Sequence, residues 1–277
     1  MKSLLIRTGT GLLFIAVVIT AVLLSDVQFN VVYNLLFNVF LLFTCLALYE
    51  YRSLLRQQNI NLSVFFYIIS VLVYVMTSYT PLWQAETAKI VLFILFGLFF
   101  LLFVVELFRK QENPFTHIAY SVLGIVWIVL PFALINHIPS MFDNGKYLLL
   151  MIFIFVWAYD TFAYCVGSLL GKHKLIPRIS PKKSWEGTIG AALFTIGLAF
   201  FIPQLFPVFT LTAVQWVFFA LIIVVFATIG DLVESLFKRQ LSVKDSGSIL
   251  PGHGGVLDRF DSILFVIPFI LLYLIFI

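Results

Sequence analysis

Residues 90–105 read IVLFILFGLFFLLFVV, an unbroken apolar run bounded by Lys89 and Glu106. Only its backbone can hydrogen-bond, and in lipid that demand is met by a helix of about 20 residues crossing a hydrocarbon core of about 30 Å. A transmembrane barrel needs short strands of alternating polarity, which this run is not. Similar runs recur along the chain, at approximately 6–24, 29–49, 62–80, 88–107, 117–136, 146–167, 187–205, 211–232 and 260–277. The composition agrees: 62% of the 277 residues are hydrophobic, 32 are Phe, only 11% are charged, and the mean hydropathy is +1.10. A water-soluble domain has no use for so much apolar surface. The expected fold is an all-α integral membrane protein, a bundle of about nine transmembrane helices in a single polytopic domain over residues 1–277.

The charges orient it. With the N-terminus in the cytoplasm and the C-terminus outside, all of the 17 Lys and Arg except Lys89 and Lys146 fall on the cytoplasmic side, as the positive-inside rule requires. Lys2 and Arg7 precede a first run too long for a cleaved signal and without a small-x-small cleavage site before Asp26; it reads as a retained helix. Cys45 and Cys165 fall inside spans and read as packing residues rather than a disulfide framework. Residues 1–140 show no polar constellation and read mainly as scaffold, with Glu50 and Glu106 near helix ends as interfacial groups. Residues 146–277 read as the half that carries chemistry, through cytoplasmic loops 168–186 and 233–259.

Those two loops hold more cations than orientation needs: Lys172, Lys174, Arg178, Lys182 and Lys183 in the first, Lys238, Arg239, Lys244 and Arg259 in the second. A patch that merely tethers anionic lipid has no use for the carboxylates interleaved with them. Asp160, inside a span, shares a helix face with Tyr164, Gly167, Ser168 and Gly171, and an acid at that depth is expensive unless it lines a wet cavity. In the first loop Ser180 and Ser184 can donate to phosphate oxygens and Lys182 and Lys183 can neutralise them, with Pro181 stiffening the turn. A juxtamembrane basic patch anchored by Trp185 fits that loop equally well.

Further on, if the eighth helix continues past its apolar part, Asp231, Glu234, Ser235 and Lys238 share a face. Asp258 and Asp261 lie one turn apart at the start of the ninth. Hard carboxylate oxygens beside water and phosphate are what Mg²⁺ asks for, whereas His253 alone makes no zinc site. The backbone amides of Gly254 and Gly255 can approach an anion. Walker A and GxSxG patterns are absent, so phosphate binding must use another arrangement.

The run Ser235–Asp261 resembles the signature of the phosphatidate cytidylyltransferase family, S-x-hydrophobic-K-R-x4-K-D-x-small-x2-hydrophobic-P-x-HGG-x2-DR-x-D, at every defined position. SPKKSWEG, residues 180–187, resembles that family's second motif. The resemblance implies transfer of CMP from CTP to phosphatidate, giving CDP-diacylglycerol and pyrophosphate for phospholipid biosynthesis. It implies Mg²⁺, with an associated K⁺, at carboxylates matching Asp231 and Asp258, and Asp160 is a further candidate ligand. The expected reaction site is Asp231, Asp258, Asp261, Lys238, Arg239, Arg259 and His253. The expected substrate contacts are Ser180, Lys182, Lys183, Ser184, Ser235, Lys244, Gly254 and Gly255.

Partners are then CTP, phosphatidate and membrane lipids, with no nucleic acid, and a homodimer is left open. The expected location is a bacterial-type plasma membrane with the site facing the cytoplasm. The alternatives are a CTP-dependent kinase of a polyprenol-type alcohol and, further off, an ion-coupled transporter, which would want polar or broken helices in both halves of an inverted repeat.

Overall fold

A computed structural model of the chain describes residues 2–25, 34–79, 85–205, 211–252 and 254–277. His253 lies outside the described residues. Helices dominate: α1 (Lys2–Leu23), α2 (Leu35–Arg56), α3 (Val64–Tyr79), α4 (Ala85–Phe108), α5 (Pro114–Met141), α6 (Gly145–Leu170), α7 (Trp185–Leu205), α8 (Ala213–Gln240) and α9 (Leu257–Phe276). Seven of them are long and apolar enough to cross a membrane among the described residues, and two apolar helices, Thr8–Leu23 and Val64–Tyr79, are shorter. Phe93 and Leu107 of α4 are 76% and 80% exposed, a state that water does not tolerate over a whole helix and lipid does. The chain is an all-α integral membrane protein with one departure, a two-stranded hairpin.

Local sequence explains the helix ends. Asn34 caps α2 by accepting from Leu36 N at 3.0 Å, and Thr212 and Gln215 form a reciprocal capping box at the start of α8, satisfying amides that a helix leaves without internal partners. Within α5, Pro131 has no N–H for the carbonyl one turn back. The helix widens there into a π turn over Ile125–Val129, closed by Leu130 N on Ile125 O.

The chain forms two compact units, one of Met1–Met141 with Asp245–Asp258, the other of Phe142–Lys244 with Arg259–Ile277. In the first, Phe40 packs on Phe132 and Phe37 on Tyr74. Gly124 of α5 admits the rings of Tyr51 and Phe66, since a Cβ there would lie 2.9 Å from Tyr51 Cε1. Residues 245–258, read from sequence with the C-terminal half, cluster with this unit, where Thr10 Oγ1 donates to Pro251 O at 3.1 Å.

In the second unit α6 lies against α7 with glycines at the contact: a Cβ on Gly187 would fall 2.8 Å from Ala163 O and 2.9 Å from Gly167 Cα. Phe155, Trp216 and Phe219 fill the core of α6 and α8. Between α6 and α7, β1 (Lys174–Ile176) pairs antiparallel with β2 (Ser180–Ser184), Lys174 opposite Ser184 and Ile176 opposite Ser180, with a register irregularity between. Glu186 braces this hairpin by accepting from the backbone amides of Lys172 and His173 and from His173 Nδ1 at 2.5 Å.

Three expectations change. The connection read as a loop at 168–186 contains the hairpin. The one read from residue 233 begins only after Gln240, because α8 runs on two turns past its apolar part, and Lys238 and Arg239 in its last turn complement the helix dipole. Cys45 and Cys165 are free, as expected, but exposed rather than packed inside.

Candidate active site

The second unit gathers acids from three helices around one strand residue. Gly230 of α8 is the hinge of this arrangement. A Cβ there would meet Asp261 O at 2.6 Å and Phe265 Cβ at 3.0 Å, so its absence lets α9 approach α8 and sets the neighbouring Asp231 beside Asp261. Lys183 Nζ of β2 stands 2.5 Å from Asp231 Oδ2, both side chains about one-quarter exposed, and Ser235 Oγ donates to Asp231 Oδ1 at 3.2 Å, one helical turn on.

Asp160 of α6 accepts from Ser262 Oγ at 3.5 Å and lies within electrostatic reach of Asp231, Lys183 and Arg259. Asp261 accepts from Ser262 N at 2.7 Å and lies within electrostatic reach of Asp231, Glu234 and Asp160. Beneath them the Tyr159 hydroxyl shares a 2.5 Å hydrogen bond with Thr228 Oγ1. Glu234, fully buried, is paired with Lys238 at 2.5 Å, four residues along the same helix.

Several residues read as phosphate ligands have protein partners. Arg239 donates through Nε to Ile179 O and through Nη1 to Val243 O, each at 3.3 Å, tying the hairpin to the end of α8. Ser184 is buried and caps α7, its Oγ accepting from Gly187 N at 3.2 Å. Ser180 opens β2; Lys182, Lys244 and Arg259 are exposed. Tyr164 and Ser168, from the polar stripe of α6, are exposed too, while Gly167 and Gly171 of that stripe serve the contact with α7 and Ser184.

The signature's turn belongs to the first unit. Gly252 and Gly254 have φ of 78° and 84°, a region that side chains resist, and Leu250 N donates to Gly254 O at 3.0 Å to close the turn. The Gly255 amide donates to Asp258 Oδ2 at 2.8 Å, and Ser246 gives that oxygen both its N–H and its hydroxyl, each at 2.9 Å.

Glu50, read from sequence as interfacial, is 1% exposed and reaches the same segment. Its Oε1 accepts from Val256 N and its Oε2 from Leu257 N, each at 2.9 Å, and Ser246 Oγ donates to Oε2 at 3.2 Å. The signal available in the sequence was an ionisable group on a long apolar helix. Glu106, the other acid so read, is buried and paired with Arg109, whose Nη2 donates to Asn61 O at 2.7 Å.

The donors are all hard oxygen and ammonium, suited to phosphate and to a hard cation. Among the described residues, no group of three or more His, Cys, Asp or Glu stands in a geometry that could itself hold a metal ion. Comparison with known proteins settles the affiliation: the profile described as "Cytidylyltransferase family" matches residues 5–277. The chain belongs to the cytidylyltransferase family. It is similar to the protein named phosphatidate cytidylyltransferase of Bacillus subtilis, 32% identical over 264 residues that cover 95% of each chain. Proteins of the same name from Staphylococcus saprophyticus and Staphylococcus haemolyticus are each 38% identical over 181 residues, 65% of this chain and 68% of the relative. The acids and the Lys183–Asp231 pair of the second unit form the candidate site.

Proposed function

We propose that the chain transfers CMP from CTP to phosphatidate, giving CDP-diacylglycerol and pyrophosphate. The observation that carries this reading is the near full-length similarity to a relative named for that activity. Lys183, Asp231, Asp160 and Asp261 in the second unit support it, because they offer both signs of charge to a polyphosphate.

The chemistry needs little from an enzyme base. A phosphomonoester has its second pKa at about 6, so phosphatidate is already an anionic nucleophile at neutral pH. Its oxygen forms a bond to the α-phosphorus of CTP while the bond from that phosphorus to the bridging oxygen breaks, and pyrophosphate leaves with the electron pair. The obstacle is to bring two polyanions together. Lys183, already held by Asp231, and the exposed Lys182, Lys244 and Arg259 lower that repulsion; Lys238 and Arg239 add positive potential while remaining engaged by Glu234 and by loop carbonyls.

Mg²⁺, with K⁺ beside it, belongs to the proposal: the oxygen donors fit, and the Lys183 ammonium against Asp231 marks a carboxylate already serving a cation. Within the second unit Asp231 and Asp160 would hold the metal, with substrate phosphate and water completing its oxygen set; Asp258 is the candidate ligand that the first unit carries. When bound, Mg²⁺ supplies charge neutralisation to the leaving pyrophosphate. Nine membrane crossings, a cytoplasmic N-terminus, an external C-terminus and a site open to the cytoplasm of a bacterial-type cell complete the reading, since one substrate stays in the leaflet and the other is a soluble nucleotide.

The test is pyrophosphate release from CTP by purified protein in detergent. Release that requires phosphatidate, and that Asp231→Asn abolishes without disturbing the helical circular dichroism, supports the reading. Release without phosphatidate, or undiminished in the variant, overturns it.

A further inference from the structure

The geometry points to Glu50 as a positioning residue for Asp258, acting from α2 through the segment 245–258; its bearing on catalysis rests on the reaction proposed above. Three donors converge on Asp258 Oδ2: the Ser246 amide, the Ser246 hydroxyl and the Gly255 amide. Glu50 bonds one of these residues directly, Ser246, and the residue that follows the other, Val256. The carboxylate takes the two successive amides Val256 N and Leu257 N, one on each oxygen, and the Ser246 hydroxyl on Oε2.

These amides belong to the residue before α9 and to its first residue, at a helix start whose N–H groups lack internal partners, and the positive end of the helix favours an anion there. A carboxylate answers both amides at once, whereas an amide side chain would turn an NH₂ toward one of them. The Ser246 hydroxyl lies between the two carboxylates, 2.9 Å from Asp258 Oδ2 and 3.2 Å from Glu50 Oε2, and its one proton is shared between them. Ser246 thus links the buried acid to the one it positions.

The surrounding backbone is shaped to admit Glu50. A Cβ on Gly247 would lie 2.6 Å from Glu50 Oε1, and one on Gly255 would collide with both Ser246 Oγ and Glu50 Oε2. Position 247 is the small residue of the signature and Gly255 the second glycine of HGG. Two of the signature's requirements for minimal side chains thus have one physical cause, the seat of a carboxylate from α2.

The test compares Glu50→Gln, which keeps the volume and loses the charge, with Glu50→Asp, which keeps the charge and loses a methylene. Phosphatidate-dependent kcat and KM are measured in nanodiscs, together with hydrogen exchange of peptides covering 245–258 and of peptides from α3. Glu50→Gln is expected to lower kcat about 10- to 100-fold, the usual effect of removing an outer partner of a ligating carboxylate. KM for CTP should move far less. Exchange should rise in 245–258 and stay unchanged in α3, and Glu50→Asp should retain more kcat than Glu50→Gln.

Wild-type kcat in Glu50→Gln overturns the inference. So does the reverse order of the two variants, which would make Glu50 a packing residue, or exchange rising equally in α3, which would make it a general structural one. If the wild-type protein transfers no CMP at all, the reaction reading fails, while the exchange of 245–258 still tests whether Glu50 holds this segment.

Discussion

Lys183 Nζ and Asp231 Oδ2 lie 2.5 Å apart, one on a hairpin strand and the other on α8. The two side chains are only about one-quarter exposed, so attraction is offset by desolvation and the net worth of the pair to stability is small, while either charge left alone is costly. Its importance lies in charge placement, because it puts an ammonium at the head of a group of carboxylates. Lys183→Ala is expected to lower kcat/KM by about 10²- to 10³-fold, the range found when one preorganised electrostatic partner is removed. The thermal midpoint should fall as well, because Asp231 loses its ammonium; unchanged kcat/KM, whatever the midpoint, would contradict this assignment.

Asp160 sits one helix away, held by Ser262 and facing the charges of Asp231 and Lys183. Asp160→Asn keeps the shape and removes the charge. Transfer should fall at least about tenfold even at saturating Mg²⁺, as measured by labelled CMP entering lipid. Unchanged activity would remove Asp160 from the site.

Gly230 fixes the crossing of α8 and α9, since any Cβ there meets the Asp261 carbonyl at 2.6 Å. Gly230→Ala must push backbone against backbone, and overpacking of this kind costs about 1–3 kcal/mol. The expected outcome is a lower thermal midpoint together with reduced kcat, because Asp231 and Asp261 move apart with the helices. A variant of wild-type midpoint and kcat would show that the crossing does not set the site.

Chelation tests the metal. Dialysis against EDTA should abolish transfer, and added Mg²⁺ should restore it in the wild type while Asp231→Asn stays inactive throughout. Full activity after chelation would remove the metal from the proposal.

The helices were legible because lipid imposes one rule, a long apolar run for each crossing, and residues 90–105 obey it without exception. Helix ends were less legible. The apolar part of α8 stops near Leu232 while the helix continues to Gln240, for hydrogen bonding continues where hydrophobicity does not. Asp160 and Asp231 were legible as acids in the wrong solvent. Ser184 reads as a phosphate donor from its two neighbouring lysines, and its Oγ also caps α7, a role no spacing announces because caps and anion sites draw on the same residue types.

Glu50 was the least legible. Its partners lie 206 and 207 positions away in sequence, and no local period or spacing records such a contact. Only the demand for small residues at Gly247 and Gly255 carries its trace.

The most direct measurement of the central claim uses CTP labelled at one phosphorus at a time, with purified protein and phosphatidate in detergent. Label from the α-position is predicted to enter the lipid product, and label from the γ-position to leave as pyrophosphate. Label from the γ-position in lipid, with none from the α-position, would contradict the account and make the chain a CTP-dependent lipid kinase.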